Sequence, residues 1–245
     1  MSGSALDADI ALNFSTVRRR LDAAAHRVHR PPETVRLIAV SKTFPVDAVV
    51  AAVRAGQRDF GENRVQEGLD KIAATSTLNL VWHLIGHLQT NKARKAAAAF
   101  HWIHSVDSLE LLKKLDAGAT EAGSRPQVLL QVDLAKEATK FGADCGQLDD
   151  LARAAVECRA LQLRGLMTMP PIADDPEDAR RWFVELRDVR DGMVARGLPA
   201  ASLSELSMGM SHDCEVAIEE GATMVRVGTA IFGRRTPPAI LGESV

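Results

Sequence analysis

Val35-Arg-Leu-Ile-Ala-Val-Ser-Lys42, then Pro45-Val-Asp-Ala-Val-Val-Ala-Ala-Val-Arg-Ala-Gly56, then Gln57-Arg-Asp-Phe60: this stretch decides the fold. A short apolar run rich in β-branched residues reads as a buried strand. The longer stretch repeats its apolar residues at helical spacing and stops at a glycine, and a second run follows. The alternation continues along the chain. Helical stretches at Glu62 to Ala74, Asn91 to Ala99, Leu148 to Cys158 and Ser211 to Glu220 lie among strand runs at Leu80 to Ile85, His101 to Val106, Val128 to Val132, Leu163 to Met167, Leu203 to Ser207 and Thr223 to Val227. Asp107-Ser-Leu-Glu110 predicts a capped helix start, and Asp175-Pro176 opens a long helix through Arg196. Eight strand-and-helix units, over a length near the roughly 250 residues of a (β/α)8 barrel and without a linker rich in Gly, Pro or Ser, predict one α/β domain of TIM-barrel type. A doubly wound sheet is the alternative. Ile10, Phe14, Val17, Leu21 and Val28 predict an extra N-terminal helix over residues 6 to 29, stopped by Pro31-Pro32. The expected organisation is residues 1–34 as N-terminal helix and leading segment, 35–234 as the barrel and 235–245 as a fraying tail.

The 245 residues are 46% hydrophobic and 25% charged, enough for one large core. Lys plus Arg number 30 against 32 acids, so a net charge of -2 gives no general attraction for nucleic acid or an anionic membrane. Lys92, Arg94 and Lys95 fall on one Ala-rich helix without interleaved aromatics and read as a solvated face. No stretch approaches the roughly 18 apolar residues of a membrane span. Cys145, Cys158 and Cys214 are odd in number and lack a Cys-x-x-Cys pair, which suits a reducing, cytoplasmic setting.

Two cations stand on strands that read as buried. Alternation puts Ile38, Val40 and Lys42 on one side of theirs, and Met224, Arg226 and Gly228 on one side of the other, so both charges face a core and need an anion. The alternatives are a solvated strand end for Lys42 and an acid partner such as Glu205 for Arg226. In a barrel the working residues lie at the carboxyl ends of the strands, and a phosphate often sits on the loops after strands seven and eight. Here those loops read as Leu206-Ser-Met-Gly-Met-Ser211 and Val227-Gly-Thr-Ala230, with hydroxyls and amides beside glycines. A phosphate there, with a lysine across the barrel mouth that can condense with an aldehyde, describes pyridoxal 5'-phosphate.

The segments Ile38-Ala-Val-Ser-Lys42, Phe60-Gly-Glu-Asn-Arg-Val-Gln-Glu67, Trp82-His-Leu-Ile-Gly-His-Leu-Gln-Thr-Asn-Lys92, Gly165-Leu-Met-Thr-Met169, Ser207-Met-Gly-Met-Ser211 and Val225-Arg-Val-Gly-Thr-Ala-Ile-Phe-Gly233 carry a resemblance. Over nearly its whole length the chain resembles the pyridoxal phosphate homeostasis protein family. The resemblance implies a barrel like the cofactor domain of alanine racemase, with pyridoxal 5'-phosphate as cofactor and Lys42 as the lysine that forms its Schiff base. It implies Arg226 at the pyridine nitrogen, Ser207, Gly228 and Thr229 as the phosphate cradle, and Asn63 near the imine. A permanently charged guanidinium opposite the ring nitrogen disfavours protonation there and leaves the ring a weaker electron sink. The expected function is therefore cofactor homeostasis and supply, with amino-acid homeostasis, in a monomer or weak dimer that delivers the cofactor to apo-enzymes and has no strong catalysis of its own.

The alternative is a pyridoxal-phosphate-dependent racemase or lyase. The racemase likeness implies a tyrosine base from a second domain, whereas this chain contains 0 tyrosines and ends soon after the eighth strand. His83, His87 and His212 are the substitutes for proton transfer. His83 and His87 as a metal pair lack Cys or carboxylate companions at ligand spacing, so no metal is expected.

Overall fold

The structure is a computed structural model that describes residues 3–135, 141–171 and 173–233. The expected tail at 235–245 lies outside the described residues, as does the last residue assigned to the barrel, 234. Eight parallel strands close in sequence order: β1 (Arg36–Val40), β2 (Asp59–Glu62), β3 (Val81–Leu84), β4 (Trp102–Val106), β5 (Gln127–Gln131), β6 (Gln162–Met167), β7 (Glu205–Met210) and β8 (Met224–Val227). Closure places Ile38 opposite Arg226 and Ala39 opposite Val227. The open doubly wound alternative is thereby excluded.

Helices α2 (Val46–Arg54), α3 (Val65–Ala74), α4 (Ala93–Ala99), α5 (Leu109–Ala122), α6 (Leu148–Val156), α7 (Arg180–Ala195) and α8 (Cys214–Glu219) connect the strands; α1 (Gly3–Arg27) precedes them and the single turn α9 (Thr229–Phe232) follows. Their starts and stops follow local chemistry. The Ser108 hydroxyl caps α5 by accepting from the Leu111 amide at 3.3 Å, and α5 ends at Gly123 with φ of 67°. Asp175 caps a 3-10 turn over Pro176–Ala179, which leads into α7. Helix α1 packs across α2, α8 and α9, and its Arg20 grips Glu215 of α8 through two bonds of 2.7 and 2.9 Å. Among the described residues no helix is long and apolar enough to cross a membrane.

The main core lies between strands and helices, where fully buried side chains such as Phe60, Leu115 and Phe183 each contribute about 1.5–3 kcal/mol by leaving water. The barrel interior is different. Ile38, Trp102, Leu129, Met167 and Met224 form a separate apolar cluster, and buried beside it are His83, His104, Ser207 and Arg226. Strand β2 runs from Asp59 through Glu62, so Glu62, expected to open the next helix, ends a strand, and the seventh strand also departs from its predicted bounds. Leu203 closes a 3-10 turn, and β7 runs from Glu205 through Met210 instead of ending at Ser207. Gly209, with φ of 90°, lets the strand continue where its glycine reads as a turn, and the pairing with β8 shifts register between Ser207 and Met210.

Candidate functional site

At the carboxyl ends of the strands is a cavity of about 500 Å³ lined by Lys42, Asn63, Arg226, Gly228 and Thr229, with Ser211, Met169, Met210 and Phe141 among its other walls. Lys42 reaches it from just past β1, Asn63 from just past β2, and Gly228 and Thr229 from the end of β8. Five of the six residues expected from the sequence therefore meet in one place.

Ser207 is the exception. Its side chain has 0% exposure and lies outside the cavity lining, because β7 extends three residues beyond it. Its hydroxyl accepts from Arg226 Nη1 at 2.6 Å and bonds His104 Nδ1 at 2.9 Å, so Ser207, expected in a phosphate cradle, stands beneath Arg226 and not in the cavity wall. Ser211, at the end of the same segment, lines the cavity and accepts the Gly228 amide at 3.3 Å. A Cβ on Gly228 would lie 3.2 Å from the Val40 carbonyl oxygen, which keeps this turn tight against β1.

Arg226 is only 4% exposed. It donates to the Ser207 hydroxyl and to the Thr168 carbonyl at 2.9 Å, and among the described residues it forms no ion pair. Glu205, the acid weighed as its partner, accepts instead from the Thr223 hydroxyl at 2.7 Å. Burial pushes the Arg226 guanidinium down to about 10, opposed by the more distant Asp213 carboxylate, so it stays charged at neutral pH. A buried cation with neutral neighbours, facing an open cavity, favours an electron-rich guest.

Lys42 is framed by a charged network on α3. Ser41 is fully buried, donates its hydroxyl to Glu62 Oε1 at 2.6 Å and gives its carbonyl to Lys71 Nζ at 2.7 Å. Lys71 also pairs with Glu62 at 2.6 Å and Glu67 at 2.9 Å, and Glu67 accepts the amide of Thr43. Thr43 has φ of 68°, a strained value for a β-branched residue, so both neighbours of Lys42 are held by these carboxylates and their shared lysine. Burial pushes the Glu62 carboxyl up against the opposing bonds from Lys71 and Ser41; Glu67 is buried less, and the bonds from Lys71 and Thr43 bring it down.

The histidines separate by depth. His83 is fully buried in β3 and does not line the cavity, which removes it from proton transfer to a guest. His87 and His212 both line it; His87 stacks on Phe141 with ring centroids 3.5 Å apart, and His212 Nε2 lies 2.9 Å from the Asp174 carbonyl. Met169 and Met210 are walls of the cavity. Gly86 lines the cavity where the loop after β3 touches the loop after β2: a Cβ there would come within 2.4 Å of the Asn63 carbonyl oxygen.

The family model described as alanine racemase, N-terminal domain, matches residues 12–236. The pyridoxal phosphate homeostasis protein of Escherichia coli K12 is 44% identical over 230 residues, covering 93% of this chain and 97% of its own. This chain belongs to that family. The homeostasis protein of Pseudomonas aeruginosa is 45% identical over 227 residues, with 92% and 96% coverage. Among solved structures, PipY of Synechococcus elongatus PCC7942 with pyridoxal phosphate bound matches with a TM-score of 0.80 at 42% identity, over 91% of this chain and all of PipY. The alanine racemase of Clostridium difficile 630 shares the fold at a TM-score of 0.74 and 15% identity, with this chain spanning 58% of its length. The family match at residues 12–236 spans all eight strands and the greater part of α1.

Proposed function

We propose that this protein binds pyridoxal 5'-phosphate in the cavity at the carboxyl ends of its strands, through a reversible covalent bond to Lys42, and serves the homeostasis and supply of that cofactor. One observation carries the reading: an amine at the end of β1 and a buried guanidinium on β8 that forms no ion pair among the described residues line the same cavity. The fit of a flat, anionic, phosphorylated aldehyde rests on the donor set. The Ser211 and Thr229 hydroxyls and the first amides of the turn at Gly228 offer hydrogen bonds to a phosphate, and the first amides of a helix have no acceptor within it. Ile85, Met169 and Met210 supply apolar walls for a ring. When bound, the group supplies an electrophilic aldehyde carbon that an amine can capture and release.

The residues of this chain hold and shield. Ser41, Thr43 and their carboxylate and lysine partners fix the backbone on either side of Lys42, which directs its side chain. Arg226 presents positive charge that opposes protonation of a ring nitrogen, a choice suited to holding a cofactor and unfavourable to a strong electron sink. The stacked His87 and Phe141 cover part of the cavity wall and restrict water. Delivery to apo-enzymes and a role in amino-acid homeostasis belong to the same proposal, as does cytosolic action by a monomer or weak dimer.

The test is an absorption spectrum of the purified chain with pyridoxal 5'-phosphate, before and after borohydride reduction, followed by peptide mapping. A visible chromophore and a reduced adduct on Lys42 are expected, with cofactor transfer to an apo-enzyme and no amino-acid turnover. A colourless protein, or an adduct on another lysine, overturns the binding reading. Racemisation at enzyme-like turnover overturns the carrier role in favour of catalysis.

A further inference from the structure

Four contacts, three of them buried and the last partly so, cross the barrel interior in line. Arg226 Nη1 lies 2.6 Å from Ser207 Oγ, His104 Nδ1 2.9 Å from the same oxygen, His104 Nε2 3.0 Å from His83 Nδ1, and His83 Nε2 3.0 Å from Asp59 Oδ1. The line joins β8, β7, β4, β3 and β2, running from the cavity to the amino-terminal end of the strands. Barrel interiors are ordinarily packed with branched apolar side chains, so a polar file of this length needs a reason.

Hydrogen-bond chemistry gives the file one direction. A guanidinium only donates, so Ser207 Oγ accepts from Arg226 and has a single proton to offer, and its other partner is His104 Nδ1. His104 then carries its proton on Nε2 and donates to His83 Nδ1, and His83 carries its proton on Nε2 and donates to the Asp59 carboxylate. The reverse order with neutral rings sets a bare His83 nitrogen against a carboxylate oxygen at 3.0 Å. A reversed file with His83 as imidazolium is favoured by Asp59 but opposed by burial, which outweighs it and lowers both imidazoles, and by the cations Arg36 near both rings and Arg226 near His104. The Asp59 end therefore fixes the two tautomers, and Ser207, accepting from Arg226 while donating to His104 Nδ1, is consistent with them.

We propose that Asp59, His83, His104 and Ser207 form a one-way hydrogen-bond relay that positions Arg226 and supplies its missing counter-charge from the opposite end of the barrel. Each member polarises the next, so the negative charge of Asp59 is felt at Ser207 Oγ as a stronger acceptor. Asp59 is anchored outside the file by Arg36 at 3.7 Å, and Arg36 lies over the Trp102 ring at 5.1 Å. Among the described residues, the Asp213 carboxylate also acts on Arg226 through its field. These are positioning residues, and their effect on a bound cofactor rests on the function proposed above; the tautomers do not.

Two measurements separate the relay from that reading. On the ligand-free full chain labelled with 15N-histidine, two-bond 15N–1H correlation is expected to show His83 and His104 neutral, each with its proton on Nε2, from pH 5 to pH 8 (roughly the span in which an ordinary imidazole titrates). A proton on Nδ1 of either ring, or an imidazolium at His83, overturns the relay whatever the cofactor does. The second arm uses Asp59→Asn, which keeps shape and an acceptor oxygen while removing charge. Pyridoxal 5'-phosphate is expected to bind this variant about three- to tenfold more weakly, with a displaced pH profile of the chromophore, because Arg226 loses part of its counter-charge. Unchanged affinity and an unchanged profile in a variant that binds overturn the relay. A wild-type chain that shows the expected tautomers but takes up no cofactor refutes the binding proposal and leaves the relay standing.

Discussion

Lys42, just past β1, and Lys71, on α3, show how two lysines acquire different work from their surroundings. Lys71 is 5% exposed and committed to Glu62, Glu67 and the Ser41 carbonyl, whereas Lys42 lines the cavity. Replacing Lys42 by Arg keeps a positive charge but removes the amine that can condense with an aldehyde. The Lys42→Arg variant is expected to lose the borohydride-stable adduct while retaining weak, phosphate-dependent binding, as measured by mass spectrometry and equilibrium dialysis. A retained adduct sinks the role given to Lys42. Lys71→Met is expected to behave otherwise, because it leaves Glu62 with 0% exposure and without its cation. Removing one partner of a buried pair costs about 3–5 kcal/mol. The sign with pH follows from burial, which already raises the Glu62 carboxyl and acts unopposed by Lys71 in the variant. A raised folded value means that the group's favourable contribution is complete below the unfolded carboxyl value of about 4.3 and is lost as pH rises through the folded value. Urea unfolding should thus find the deficit of Lys71→Met largest at neutral pH and smaller near pH 4, a comparison set by that same reference value. An equal deficit at both refutes the pairing as the source.

At the scale of elements, the alternation of strand and helix was legible because each period is local: Val35 to Ser41 and Pro45 to Ala55 declare their types without help from distant residues. Lys42 and Arg226 were legible for the same reason, since alternation along one strand decides which face a side chain takes. Depth was not legible. Ser207 and Ser211 both stand near Gly209, and only the register shift against β8 decides that one is buried and the other lines the cavity. The histidine file was hidden for a related reason: His83 and His104 belong to different strands, and their partners come from β2 and β7. Helix α1 offers a test of element docking. Its Arg20 and Arg27 pair with Glu215 and Glu219 of α8, and Arg180 adds a second cation to Glu219. Burial raises Glu215 but the Arg20 bonds outweigh it, and the Arg180 bond leads the lowering of Glu219. Folded carboxyl values below the unfolded one give stability that is present above about pH 4.3 and lost as pH falls through the folded values. Hydrogen exchange in α1 is expected to accelerate on acidification before that of β4 and β5, and Glu215→Gln is expected to cost about 1 kcal/mol at neutral pH. Uniform acceleration across the barrel contradicts docking by these ion pairs.

For the whole molecule, the site lies where the ring of strands is completed. β1 and β8 come from opposite ends of the chain, and their pairing converts a sheet into a barrel. Lys42 follows β1, Gly228 and Thr229 follow β8, and Gly228 sits against the Val40 carbonyl across the seam. A guest bonded to both segments bridges that closure, so binding energy acts on the most non-local contact in the fold. Ligand at 100 times its dissociation constant stabilises a folded state by about 2.7 kcal/mol, and each kcal/mol moves the melting point of a chain this long by about 2–4 °C. Pyridoxal 5'-phosphate is therefore expected to raise the melting temperature by about 5–10 °C under those conditions. Exchange of amides near Ala39, Val40 and Val227 should slow more than that of amides in β4 and β5. Inorganic phosphate should reproduce a small part of this by engaging the β8 side alone, and pyridoxal without phosphate should do less than the complete cofactor. Calorimetry and hydrogen exchange on the same samples decide the matter, since protection centred on β4 and β5 would place the guest away from the seam.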